Sequence, residues 1–105
     1  MELEIDFSNV KDLGSMHQLL KEKFGFPDFY GQNVNALIDC WTSLKNPAGG
    51  MTKINIGLDE VLNLRVRALP FENLLVLNNF LIAVQSVNER YEELGFPPAI
   101  TLTLI

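Results

Sequence analysis

The chain is poor in the residues that carry most protein chemistry. Among 105 residues there is one cysteine and one histidine. No internal disulfide can form, and the common zinc ligand sets cannot be assembled. Basic side chains are also scarce, 8 against 13 acidic ones, for a net charge of −5. That balance argues against direct contact with nucleic acid, which needs a basic face to displace counterions from phosphates. The glycines are scattered or paired in a turn (Gly49-Gly50), and neither GxGxxG nor GxxxxGK[ST] occurs, so no phosphate loop is present. The longest apolar stretch, Leu74 to Val84, is broken by Asn78 and Asn79 and is too short to span a bilayer. The opening residues, Met1 to Phe7, lack a basic segment ahead of an apolar one, so no secretion signal is expected. A free thiol without such a signal fits a reducing cytoplasm. No metal and no cofactor are expected. What is there is apolar substance: 48% of residues are hydrophobic, too many for a disordered chain, and the length suits one domain over residues 1–105.

Hydrophobic periodicity predicts the elements. Leu3, Ile5 and Phe7 alternate with Glu2, Glu4 and Asp6, the pattern of a strand with one buried face. Leu13, Met16, Leu20 and Phe24 then fall at helical spacing, giving a helix from about Asp12 to Phe24 that Gly25 and Pro27 end. An aromatic loop, Phe26 to Asn33, leads into a second helix, Val34 to Leu44, which Asn33 can cap. After the loop Asn46 to Gly50, the alternation of Ile54, Ile56 and Leu58 predicts a strand over 53–58. A turn at Asp59-Glu60 and a further strand through Leu62, Leu64 and Val66 complete an expected hairpin. Pro70 can open a long helix reaching about Leu94, with Leu77, Phe80, Leu81, Val84 and Tyr91 inward. Its first half is apolar around much of its circumference and is expected to be covered on two sides. Ala99 to Ile105 reads as a last strand. The order predicts an α/β fold, a small, mainly parallel sheet covered by helices with an added hairpin in the middle.

No catalytic constellation stands out. His17 lies beside Met16 and Leu20 with no nucleophile to serve, and reads as a structural histidine. Cys40 falls mid-helix and reads as a small buried hydrophobe. No carboxylate pair suited to acid–base work can be identified. Two features do stand out. One is the aromatic loop running into a helix N-terminus. The other is the second stripe of that helix, Asn35-Ile38-Asp39-Thr42. These residues are poor helix formers for a merely solvated face. Sparse charge beside aliphatic and aromatic anchors is the composition of a protein-binding surface.

Three stretches together resemble the barstar family of intracellular ribonuclease inhibitors: His17-Gln18-x-Leu20-Lys21, Pro27-Asp28-Phe29-Tyr30-Gly31-Gln32-Asn33, and Ala36-Leu37-x-Asp39-Cys40-x-Thr42. The strong similarity runs from about residue 16 to 42; residues 45 to 98 look like a separate branch. The resemblance implies a barstar-like fold and a non-enzymatic protein. It would be an immunity protein that occludes the active site of a cognate ribonuclease toxin with loop 26–33 and helix 34–44. Asp39 would take the place of a substrate phosphate in a basic pocket. Phe29 corresponds to an aromatic contact, Gly31 and Asn33 to loop and cap, and Tyr30, Asn35, Ala36, Ile38, Thr42 and Leu44 to positions on or beside the contact surface. Asn35 stands where the family carries a second acid, and Ile38 and Leu44 stand where it has tryptophans. The last helix offers Glu89, Glu92 and Glu93 as further acids, none of which aligns uniquely with the family's contacting glutamate, and Glu89 is taken as the candidate. The expected partner is thus a ribonuclease with a basic active site, with no nucleic acid and no membrane bound directly and a monomer when free. The alternative is a regulatory binding module on the same fold with a partner that is not a nuclease.

Overall fold

The computed structural model describes residues 1–105. Three strands, β1 (Glu2–Asp6), β2 (Leu62–Arg67) and β3 (Ile100–Leu104), and three helices, α1 (Leu13–Phe24), α2 (Val34–Thr42) and α3 (Leu74–Glu93), follow in the order β1-α1-α2-β2-α3-β3. The sheet order is β1-β2-β3 and both ladders are parallel. Leu3 pairs with Leu64, and Leu64 with Leu102. Parallel pairing requires a crossover between neighbours. Helices α1 and α2 supply the first and α3 the second.

Each helix is bounded by the chemistry of its flanking residues. Asp12 accepts from the Ser15 backbone N–H at 2.8 Å while the Ser15 hydroxyl accepts from Asp12 N–H at 3.1 Å, a reciprocal cap. Gly25, at φ 70°, ends α1 in the left-handed region. It also has to be glycine for space, because a Cβ there would lie 2.6 Å from the Lys53 side chain. The long helix starts at Leu74 rather than Pro70. Asn73 N–H bonds back to the Pro70 carbonyl at 3.0 Å, closing a turn, and the Asn73 side chain then caps Val76 N–H.

The core gathers where the helices meet the sheet. Leu62, Leu64 and Val66 of β2 are buried, with Ile5 and Phe7 beside them. Trp41 of α2 packs edge-on against Phe24 of α1 (5.6 Å between ring centres) and Phe80 of α3 (6.1 Å), and Phe80 meets Phe7 at 5.0 Å. One aromatic chain therefore ties all three helices to the end of β1, each contact adding about 0.5–1.5 kcal/mol beyond burial.

Two expectations are corrected. Residues 53–58 are not a strand, and there is no hairpin. Lys53 N–H bonds to the Phe24 carbonyl at 2.9 Å and Ile56 N–H to the Leu44 carbonyl at 2.7 Å, so the segment is a strap across the C-terminal ends of α1 and α2. Those ends carry unpaired carbonyls that need donors, which draws the segment there instead of to the sheet. Ile56 is buried under the strap, Ile54 partly so, and Leu58 is exposed. The first half of α3, too, is covered on one side only: Leu74, Leu75 and Ile82 are each more than half exposed. No helix is long and apolar enough to cross a membrane.

Candidate protein-binding site

The loop before α2 is built from the inside out. Phe26 and Tyr30 are buried, and the two rings tilt against each other at 4.8 Å. The Tyr30 hydroxyl lies 2.5 Å from His17 Nδ1. Burial pushes the His17 pKa down and that of Tyr30 up, so a neutral imidazole faces a protonated phenol. With two aromatics turned in, the remaining one is turned out: Phe29 is 78% exposed. The loop closes on α2 through Asn33, whose side chain accepts from Ala36 N–H at 2.8 Å and donates to the Gly31 carbonyl at 3.3 Å. A Cβ on Gly31 would come 3.3 Å from the Asn33 amide and 3.5 Å from Ala36 Cβ, so this position suits glycine. Gln32 sits at φ 50°, in the left-handed region that non-glycine residues occupy at a cost.

Helix α2 divides cleanly by face. Leu37, Cys40, Trp41 and Leu44 are essentially fully buried. Burial, with the Asp39 carboxylate nearby, pushes the Cys40 thiol up to about 11, which leaves it protonated and unreactive at neutral pH. Asn35 and Asp39 are exposed and Ala36 and Thr42 half-buried. Among the positions drawn from the sequence, then, Phe29, Gly31, Asn33, Asn35, Ala36, Asp39 and Thr42 keep accessible area on the loop or on α2. Tyr30, Ile38 and Leu44 keep little or none: Tyr30 and Ile38 are at least nine-tenths buried and Leu44 entirely so. In the chain by itself these three lie beneath the exposed residues. Trp41 and Leu44 lie on the inward stripe, and Tyr30 is drawn in by His17.

Glu89 is exposed on α3 and makes no hydrogen bond or ion pair with α2. The residue that α3 brings to the site is Arg90. Its Nη1 donates to Asp39 Oδ1 and to Thr42 Oγ1, both at 3.0 Å. Just beneath, the Tyr91 hydroxyl donates to the Thr42 carbonyl, and the Thr42 hydroxyl donates to the Ile38 carbonyl at 2.8 Å. Thr42 is the joint between the two helices. Sequence reasoning missed Arg90 because it looked along α3 for acids. The available signal was that Arg90 is the one basic residue of that helix, set among Glu89, Glu92 and Glu93. No group of three or more His, Cys, Asp or Glu side chains comes together to hold a metal.

The family profile described as barstar (barnase inhibitor) matches residues 1–102 of this sequence. The chain belongs to the barstar family. A curated relative, named "Putative ribonuclease inhibitor YrdF" and found in Bacillus subtilis (strain 168), is 51% identical over 37 residues, which cover 35% of this chain and 37% of the relative. The similarity thus spans little more than a third of that relative's length. The three helices and parallel three-stranded sheet are consistent with the barstar-like architecture. The family's description is that of an inhibitor and not of an enzyme.

Proposed function

We propose that this chain is a stoichiometric inhibitor of a ribonuclease, acting as an immunity protein in the cytoplasm of the cell that makes the nuclease. The observation that carries the reading is the setting of Asp39. Its side chain is 65% exposed at the middle of an outer helix face whose inner side is locked into the core, and it stands close along the chain to the exposed Phe29. A fixed carboxylate can occupy a phosphate-binding pocket through charge-assisted bonds to arginine or lysine, and an exposed aromatic can serve as an anchor. Membership of the family and the name of the relative support the same reading. The net charge of −5 favours encounter with a basic enzyme.

The test is titration of the purified chain into a panel of bacterial ribonucleases, barnase included, following RNA cleavage and heat of binding. One member of the panel should lose activity at a one-to-one ratio, with an association rate that falls as salt rises. Asp39→Ala should weaken that complex by about 2–5 kcal/mol, because the nuclease's cations are left buried without a partner. A folded Asp39→Ala variant with unchanged affinity refutes the role of Asp39, and inhibition of no ribonuclease refutes the function. A second reading, a regulatory module for a partner other than a nuclease, is favoured by one feature. The neutral Asn35 and the Arg90–Asp39 pair leave the centre of the surface with little net charge.

A further inference from the structure

The ion pair at the centre of this surface is incomplete on both sides. Arg90 uses only Nη1 within the chain, shared between Asp39 Oδ1 and Thr42 Oγ1, so its Nε and Nη2 are left without a partner. Asp39 uses only Oδ1, so its Oδ2 is left as well. Both side chains are about half exposed or more, at 48% and 65%. Glu93 stands one turn further along α3 from Arg90, the spacing at which helix residues normally pair. The guanidinium nevertheless reaches across to α2, and the contact is the shortest of the chain's ion pairs. The side chain is held there by Thr42, itself fixed by Tyr91 and the Ile38 carbonyl.

We propose that Asp39 and Arg90 form a single dipolar recognition unit, and that Arg90 sets specificity by accepting a carboxylate of the partner while Asp39 takes an adjacent cation. The proposal rests on the ribonuclease reading above and names the partner chemistry more narrowly. An Nε–Nη2 edge is a planar fork that matches a carboxylate in two parallel bonds. A lone carboxylate would suit any cationic pocket. The added guanidinium penalises a uniformly basic one by repulsion and favours a site in which a cation and an anion stand side by side. A ribonuclease active site that cleaves by general acid–base chemistry can present such a pair: phosphate-binding cations beside a carboxylate that moves the proton.

The experiment uses barnase and the same ribonuclease panel, with each enzyme's affinity measured for the wild-type chain and for Arg90→Ala, Arg90→Lys and Arg90→Glu. Thermal melting confirms that each variant is folded. For the enzyme bound most tightly by wild type, Arg90→Ala should lose about tenfold and Arg90→Glu about a hundredfold or more. Arg90→Lys, which keeps the charge without the fork, should fall between wild type and Arg90→Ala. Replacing the active-site carboxylate of that enzyme with its amide should erase most of the difference between wild type and Arg90→Ala. If Arg90→Ala binds as tightly as wild type or more tightly, Arg90 merely competes with the partner for Asp39. The present inference is then overturned while the ribonuclease reading stands. If neither wild type nor any variant inhibits any enzyme, both fall.

Discussion

Two cations lie near the junction of α2 and α3 and meet opposite fates. Lys45 is buried, with Nζ donating to the Leu58 carbonyl at 2.7 Å and the Pro97 carbonyl at 2.9 Å, over the ring of Tyr91. Burial pulls its pKa down while Asp59 and Glu60 pull it back up. Arg90, one residue before the same tyrosine, is half exposed and has two nitrogens to spare. The fold buries the first cation and spends two of its donors on fastening the strap and the approach to β3. The second is positioned by the fold but left available. A charge that is spent and a charge that is presented can thus flank the same tyrosine, and accessibility of the donors tells them apart, not the distance to the nearest acceptor.

The sharpest way to break that contrast is Lys45→Ala. Two carbonyls and the strap lose their donor, so stability to urea should fall by about 3 kcal/mol. The fraction that remains folded should keep its affinity for the partner. If affinity falls too, Lys45 belongs to the surface and the distinction fails.

The next effect is on pH. His17 is neutral in the folded state with its pKa depressed by burial, whereas the unfolded chain takes up the proton at about 6.5. Above that value both states are neutral and the group has no effect. As pH falls through it, the unfolded state binds the proton first. Stability should drop by up to about 1.4 kcal/mol per pH unit until the folded-state pKa is reached. Asp12, whose carboxylate is held below the usual range by Ser15, loses its contribution only at more acid pH, so the two windows are separable. Denaturation curves at pH 7.5 and 5.5 should show the loss in wild type, and His17→Gln should remove most of its slope.

The smallest effect should come from Arg90→Ala. An exposed ion pair of this kind contributes about 0–1 kcal/mol to folding. A melting point close to that of wild type, together with the affinity loss expected above, would place Arg90 on the presenting side. A large destabilisation would make it a second Lys45.

The same division separates what was legible in the sequence from what was not. Leu13, Met16, Leu20 and Phe24 announce α1 because helical spacing is a local property, and Asn33 announces the start of α2 for the same reason. Asp39 could be picked out because it sits inside a compact motif. The strand expected at 53–58 failed because alternation of Ile54 and Ile56 signals extended backbone and does not say where its hydrogen bonds go. They go to Phe24 and Leu44, partners that no local pattern reveals. Arg90 was missed in the same way, since it meets Asp39 only after α3 has docked on α2. The leucines at the start of α3 looked like core because their environment, too, depends on what lies across from them.

The parallel sheet has a consequence for the order in which this surface comes into being. No strand pair is local: Leu3 must find Leu64, and Leu64 must find Leu102. Each closure carries the entropy cost of a long loop. The pieces of the aromatic loop, by contrast, meet across a few turns of chain, with His17 touching Tyr30 and Asn33 capping Ala36. The half of the molecule that would face a partner is therefore assembled from its shortest-range contacts, while the sheet is the slow part to close. Asp39 can have its helix early, but it gains Arg90 only once α3, the crossover to the last strand, is in place.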